Sequence, residues 1–161
     1  MAIKMTIKGL MSDPITKNPI IVLKDPDGEA VLPIWVGLFE ATAIAAEMEK
    51  SPSPRPMTHD LLKNVIDHLK ARVTRIVVTD LKENTFYALI HFIQDGKENT
   101  LDARPSDAIA LALRAEAPIF VEEEVISRAR NSDTNRDAGD AERLRQWLEK
   151  LDPDDMGKYE M

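Results

Sequence analysis

The sequence predicts a mixed α+β domain built on a largely antiparallel sheet. Short apolar segments with the spacing of strands alternate along the chain with segments of helical periodicity. Most of the predicted strands are joined by links of hairpin length, which connect antiparallel neighbours. The 161 residues are enough for one domain with its own core and a short appendage.

The first third of the chain is predicted to form three strands. Apolar and polar side chains alternate over residues 3–8, which is the period of a half-buried strand. Two apolar runs, residues 19–23 and 30–36, flank the turn sequence KDPDG and predict a hairpin. Pro33 suits an edge strand or a bulge, because proline has no N–H to donate within a sheet.

Helical periodicity begins after Gly37. Residues 40–48 are rich in alanine and predict a helix that stops at the sequence SPSP. A second helix is predicted over residues 58–70. Five apolar side chains share one face of this second helix: Leu61, Leu62, Val65, Ile66 and Leu69.

The remaining elements of the domain alternate between strands and helices. Strands are predicted over residues 73–78 and 85–93, followed by a third strand that ends near Asp102. A helix over residues 105–115 begins with proline, which fits the first turn of a helix. A short strand over residues 119–121 then leads into a helix whose first turn carries three consecutive glutamates.

The composition of the chain changes after Ala129. Residues 130–140 contain one apolar residue and predict a polar linker, so that the domain comprises residues 1–129. In the remaining segment, residues 141–161, four apolar side chains repeat at helical spacing: Leu144, Trp147, Leu148 and Leu151. An amphipathic helix this short must dock on the domain or on a partner.

Composition and charge exclude several classes of function. The absence of cysteine excludes disulfides, thiolate catalysis and cysteine-ligated metals. No apolar run approaches the length of a membrane span and the N-terminus lacks a signal-peptide core, so we expect a cytoplasmic protein without a membrane partner. No phosphate-binding loop or dinucleotide fingerprint is present, so no organic cofactor is expected. A net charge of −7 disfavours duplex binding through a broad basic face, and contacts with nucleic acid must be local, metal-assisted or weak.

Two stretches with related sequences are the strongest candidates for a functional site. Each places an Arg-Pro pair ahead of an acid at the start of an apolar helix: RPMTHDLL from Arg55, and DARPSDAI from Asp102. Free N–H groups at a helix start favour anions or capping oxygens. The structural alternative is capping alone, with Thr58 as an N-cap and Arg104 paired with Asp107 or Asp102.

The acids that adjoin apolar sequence are the candidate metal ligands. Asp102 ends a strand, Asp60 and Asp107 each begin a helix, and Glu40 lies on a helix otherwise rich in alanine. A buried carboxylate needs a partner or a metal ion. For Glu40 an ion pair with Arg104 or Arg55 is the simpler explanation.

The three histidines do not show the spacing of a zinc site. His59 and His68 are nine residues apart and face opposite sides of a helix, and there is no His-Glu-x-x-His motif. His91 lies within a predicted strand. His59, which adjoins Asp60, is either a general base or a surface residue of a first helical turn.

Together these segments resemble the bifunctional nuclease domain family, and the chain is identified as a bacterial member over roughly residues 1–130. The resemblance rests on GL at position 9, LPIWVG at 32, PRPMTHDL at 54, NTFYA at 84 and DARPSDAIALA at 102. It implies a single α+β domain with a strongly bent sheet wrapped around a central helix. It also implies an activity on both DNA and RNA, and a homodimer.

The leading hypothesis is therefore a metal-assisted phosphodiesterase acting on flexible or single-stranded nucleic acid. A nuclease without cysteine commonly uses carboxylates to hold one or two divalent ions such as Mg²⁺ or Mn²⁺. The candidate metal ligands are Asp60, Asp102, Asp107 and Glu40, of which the three aspartates, with His59, form the candidate catalytic set. The candidate phosphate-binding residues are Arg104, Arg55, Ser106 and Thr58.

A second hypothesis belongs to a different class of protein. A non-catalytic dimeric module could use the same helix starts to recognise a small anionic ligand or a protein partner. In either case the apolar surface of Trp35 and of the C-terminal segment predicts a homodimer that covers at least one of them.

Overall fold

The structure is a computed structural model, and it describes residues 1–133 as seven strands and four helices. In chain order these are β1 (Ala2–Ser12), β2 (Pro19–Lys24), β3 (Val31–Trp35), α1 (Leu38–Met48), α2 (Thr58–His68), β4 (Arg72–Lys82), β5 (Thr85–Gln94), β6 (Lys97–Ala103), α3 (Pro105–Ala115), β7 (Ile119–Glu122) and α4 (Glu123–Asp133).

The strands form one mixed sheet in the order β3-β2-β1-β7-β4-β5-β6. Every pair of neighbours is antiparallel except β4 and β7, which run parallel with Ile76 opposite Ile119. This pair is parallel because the chain leaves the sheet after β6, crosses through α3 and returns in β7. The prediction of a mixed, largely antiparallel α+β fold is confirmed.

Helix α3 is the central helix of the domain. Seven of its eleven residues are buried, and it packs against α1, α2 and the neighbouring strands β4 and β5. Alanine at positions 108, 110 and 112 lets these neighbours approach closely. The register of the sheet shifts once in β1 and twice in β4, and such bulges bend and twist a strand.

Helix α2 exposes most of the apolar face that its sequence predicts. Leu61, Leu62, Val65 and Leu69 are exposed, and of the five predicted apolar residues only Ile66 packs against the core. The predicted helix is present, and most of its apolar face is directed away from the core of the described domain. The cause is that α2 contacts α3 through its polar residues His59 and Asp60.

Trp35 has a structural partner within its own domain. Its indole Nε1–H donates to Oδ2 of the buried Asp13 at 2.8 Å, and Oδ1 of the same carboxylate accepts from the N–H of Ile15 at 2.8 Å. Burial acts to raise the pKa of Asp13, but these hydrogen bonds hold it below its usual value. This contact ties the end of β3 to the turn that follows β1.

Helix α4 extends beyond Ala129, where the sequence predicts the linker to begin. Helix α4 continues to Asp133, so the first four residues of the predicted linker are helical. The rest of that linker and the predicted helix within residues 141–161 lie outside the described residues. Within residues 1–133, no helix has the length and apolar composition required to cross a membrane.

Candidate functional site

The two Arg-Pro stretches meet at one cavity. The first turn of α2 contributes Thr58, His59 and Asp60, and the start of α3 contributes Arg104 and Asp107. Helix α1 forms a further wall of this cavity, which has a volume of about 1090 Å³. Residues about 45 positions apart in the sequence therefore form a single site.

Arg104 is the centre of the polar network at this cavity. It is the N-cap residue of α3, and its extended backbone turns the side chain back over the first helical turn. Its Nη2 donates to Oε1 of Glu40 on α1 at 2.6 Å, and its Nε donates to Oδ2 of Asp107 at 2.9 Å. The side chain nevertheless remains 64% exposed, so the guanidinium group is open to a ligand.

Asp107 connects this guanidinium group to a histidine. Its second oxygen, Oδ1, lies 2.9 Å from Nε2 of His59 on α2. Within residues 1–133 the His59 ring makes no other hydrogen bond, so its Nδ1 is not committed to a protein partner there. A carboxylate that holds one ring nitrogen fixes the orientation of the imidazole and leaves the other nitrogen to exchange a proton.

A second guanidinium group holds the three helices together beneath this network. Arg114 of α3 donates to Oδ1 of Asp60 at 2.6 Å, to the carbonyl oxygen of Ala43 at 3.1 Å and to that of Ala110 at 2.9 Å. Its side chain is only 7% exposed. The other oxygen of Asp60 accepts from the N–H of Met57 at 2.9 Å and so caps α2.

The three paired carboxylates are all more acidic than usual. A hydrogen bond from Arg104 is the main cause that lowers the pKa of Glu40. The N–H of Met57, followed by Arg114, lowers the pKa of Asp60. Burial acts to raise the pKa of Asp107, but the hydrogen bonds from Arg104 and His59 outweigh it and the pKa is lowered. All three groups are therefore ionised at neutral pH.

Some of the predicted site residues lie apart from this network. Arg55 is exposed and does not line the cavity. Ser106 is buried and lines a smaller neighbouring cavity of about 380 Å³, which shares Arg104 with the larger one. Thr58 is the first residue of α2 rather than its N-cap, because Met57 occupies the cap position. Asp102 lines the larger cavity, but its side chain has no ion pair or hydrogen bond within residues 1–133.

The predicted metal ligands do not form a ready metal site in the described part of the chain. No three histidine or acidic side chains there come close enough together to hold an ion. Glu40, Asp60 and Asp107 are instead divided between the guanidinium groups of Arg104 and Arg114. The arrangement does not fit a bound metal ion, so we derive no chemical step through one.

The charge of the cavity lining is nevertheless unbalanced. Five carboxylates line it against two guanidinium groups and no lysine, an excess of three negative charges when His59 is neutral. The carboxylates are those of Glu40, Glu47, Asp60, Asp102 and Asp107. A polyanion entering this cavity therefore needs accompanying cations.

Arg114 is the residue of this site that the sequence analysis missed. It lies seven positions after Asp107 in α3, and residues seven apart share one face of a helix. The sequence therefore did contain a signal for Arg114, because this arginine lies two turns after the predicted acid Asp107 on the same face of α3. Its partner Asp60 is 54 residues distant, so no local pattern could identify the pair.

Comparison with known proteins agrees with this architecture. The bifunctional nuclease domain matches residues 21–134. An uncharacterized protein of Mycobacterium tuberculosis is 34% identical over 94% of this chain and 96% of its own length. Bifunctional nuclease 1 of Arabidopsis thaliana is 32% identical over 65% of this chain, and bifunctional nuclease 1 of Oryza sativa subsp. indica is 30% identical over 63%.

The plant relatives are much longer proteins, because the matched region makes up 33% of the Arabidopsis protein and 32% of the rice protein. The mycobacterial relative matches almost end to end. The domain match covers most of the described structure, including both Arg-Pro stretches and all four helices. The chain belongs to the bifunctional nuclease domain family.

Proposed function

We propose that this protein is a nuclease that hydrolyses phosphodiester bonds in DNA and RNA, with a preference for flexible or single-stranded substrates. The observation that carries the proposal is the continuous chain of contacts from Glu40 through Arg104 and Asp107 to His59 at one cavity. Membership of the family supports it, as does the name of the plant relatives.

Arg104 is suited to hold the phosphate. Two of its nitrogens are fixed by Glu40 and Asp107, while Nη1 makes no hydrogen bond within residues 1–133. Because the two carboxylates already hold the guanidinium plane in place, the Arg104 side chain loses little additional conformational entropy when it binds a phosphate oxygen. The start of α3 adds its positive dipole end to the same position.

His59 is suited to move the proton in this reaction. With Nε2–H donating to Asp107, Nδ1 can accept a proton from the attacking water. A bond forms between phosphorus and the water oxygen, and the bond from phosphorus to the leaving oxygen breaks. The leaving oxygen then takes a proton from the His59 imidazolium, directly or through an intervening water molecule, which restores the neutral histidine.

Dependence on a divalent cation such as Mg²⁺ or Mn²⁺ is part of this proposal for an electrostatic reason. The excess of carboxylates in the cavity repels a phosphodiester, and divalent cations would reduce that repulsion. A cytoplasmic location is also part of this proposal, since a chain without cysteine has no disulfide that a reducing compartment could break.

The direct test is turnover of a labelled single-stranded oligonucleotide by highly purified full-length protein. We expect cleavage of both DNA and RNA strands, slower cleavage of a duplex of the same sequence, and loss of cleavage in EDTA that excess Mg²⁺ or Mn²⁺ restores. Activity that does not co-elute with the protein through two chromatography steps would belong to a contaminant and contradict the proposal.

A non-catalytic binding module is the second candidate. The observation in its favour is that Glu40, Asp60 and Asp107 are all satisfied by arginine, as in a site whose purpose is to fix three helices. In that case Arg104 would bind a small anion or an acidic protein segment without turnover. The oligonucleotide assay separates the two candidates.

We also propose a homodimer in which a second copy covers the exposed face of α2. Leu61, Val65 and Leu69 form an uncharged stripe along this helix, and a two-fold axis at Val65 would place Leu61 opposite Leu69 of the partner.

Light scattering should give twice the 18.1 kDa chain mass, and Val65→Glu should give the monomer mass. Lys24→Gln, the same charge change at the exposed last residue of β2, should remain dimeric. A monomeric parent protein, or a Val65→Glu dimer, would contradict this assignment.

A further inference from the structure

We propose that Phe39 is a stacking platform for one unpaired nucleobase of the substrate, beside the phosphate that Arg104 holds. This inference rests on the proposed function, because it assumes that single-stranded nucleic acid enters the larger cavity. It adds a base-binding subsite to the network of charged groups that is proposed to bind and cleave the phosphodiester.

The first observation is the exposure of Phe39. Its side chain lines the cavity yet is 86% exposed, so it contributes almost nothing to the hydrophobic core of the described domain. Leaving an aromatic ring in water forfeits the favourable free energy that its burial would supply. An aromatic ring in such a position is available to a ligand.

The second observation is the position of Phe39 relative to the phosphate-binding group. It lies in the first turn of α1 and immediately precedes Glu40, whose carboxylate accepts from Arg104 at 2.6 Å. The ring and the guanidinium group therefore belong to elements that are joined directly by an ion pair. A nucleotide presents a flat base and an anionic phosphate, and this cavity offers one partner for each.

The third observation is the composition of the segment that joins α1 to α2. Pro52, Pro54, Pro56 and Met57 line the cavity together with Phe39. These side chains present uncharged surface suited to the face of a base, in a cavity whose carboxylates would repel additional phosphates. Stacking on such surfaces accepts any base, which suits a site that acts on DNA and RNA alike.

This subsite also gives a physical reason for the preference for single strands. Bases in a duplex are stacked on both faces, so none can lie against Phe39 without first being unstacked, which costs free energy. An unpaired base carries a smaller penalty. Duplexes should therefore bind less tightly even where their backbone can reach Arg104.

The test is a double-mutant cycle between Phe39 and the base. Binding of a fluorescein-labelled single-stranded oligonucleotide is measured by anisotropy, with an abasic site placed in turn at each position. Phe39→Ala should weaken binding of the normal strand by about 5- to 150-fold, the range of one base–aromatic stack. It should have little effect on the strand whose abasic site removes the stacked base. Phe39→Trp should retain binding.

Leu38→Ala is the matched control, because Leu38 is an exposed apolar neighbour that does not line the cavity. Equal losses for normal and all abasic strands, or equal losses in Leu38→Ala and Phe39→Ala, would overturn the subsite. A Phe39→Ala effect on oligomeric mass in place of an effect on binding would assign the ring to a subunit interface and also overturn it.

The cycle separates failure of the subsite from failure of the proposed nuclease. Coupling between Phe39 and one base without any cleavage would support the subsite and contradict catalysis. Cleavage with no such coupling would contradict the subsite alone. Absence of oligonucleotide binding by the parent protein would overturn both.

Discussion

Replacing His59 by glutamine should lower the rate of oligonucleotide cleavage by about 10²- to 10⁴-fold, the usual contribution of a general base. Glutamine can still donate a hydrogen bond to Asp107, so the contact between α2 and α3 is kept. What is lost is a nitrogen that can accept and return a proton. The effect should appear in kcat, because His59 is not assigned to hold the ground-state phosphate.

The matched control is His68→Gln, at the other end of the same helix. His68 is exposed and does not line the cavity, so its replacement should leave cleavage within a factor of two or so of the parent rate. Both variants should keep the unfolding midpoint of the parent. If His59→Gln cleaves as fast as His68→Gln, His59 is not the base and its contact with Asp107 is structural.

The sequence predicts the secondary structure well where a local signal specifies each end of an element. Helix α3 begins at Pro105 and ends at Ala115, as predicted, and Glu116 closes it with a left-handed backbone. The strands of the hairpins were also placed correctly, with ends that moved by a few residues. The alternation of apolar and polar residues in a strand, and the residues that favour a turn, are local patterns of about ten residues. A single sequence therefore shows these signals completely.

The sequence could not predict which side of α2 is buried. Its apolar stripe has the spacing of a core-facing helix, yet it is His59, Asp60 and Ile66 that face the domain. Periodicity shows that a helix has an apolar face but not whether that face meets the same chain or a second copy. The ion pairs made by the other side of α2 decide its orientation, and they are long-range.

In the candidate site, too, the local contacts could be predicted from the sequence and the long-range contacts could not. The contact between Arg104 and Asp107 spans three residues and was one of the predicted alternatives. For Glu40 the sequence left Arg104 and Arg55 open, and the structure selects Arg104, 64 residues away. Asp102 lines the same cavity from β6, where it lies opposite Leu89 of β5, but no ion pair joins its side chain to the network within residues 1–133. Long-range pairing is decided by the packing of α1, α2 and α3.

Arg114 should be the residue of the site whose loss most affects stability. In Arg114→Met the side chain keeps a similar length but loses its contacts with Asp60 and with the carbonyl oxygens of Ala43 and Ala110. We expect a loss of about 3 kcal/mol in the free energy of unfolding by urea. This is the low end of the cost of breaking a buried pair, because Asp60 is 33% exposed and water can partly replace its partner.

Arg75→Met is the matched control, because Arg75 is more exposed and its contact with Glu98 is 3.6 Å long. Its loss should change the free energy of unfolding by no more than about 1 kcal/mol. Equal effects of the two substitutions would show that Arg114 does not hold the three helices together.

The same variant should also change how stability depends on pH. The pKa of Asp60 is lowered in the folded protein, so its ionisation stabilises the fold fully above the usual pKa of an aspartate. That stabilisation is lost as the pH falls through the lowered pKa of the folded state. Arg114 is one of the two main causes of that lowered pKa, the other being the N–H of Met57. Arg114→Met should therefore lose less stability than the parent between pH 7 and pH 3.

Glu40 and Asp107 titrate in the same direction in both proteins, so the difference between the two curves isolates Asp60. Parallel curves would mean that the N–H of Met57 alone sets the acidity of Asp60, and that Arg114 acts on α1 and α3 only through the two carbonyl groups.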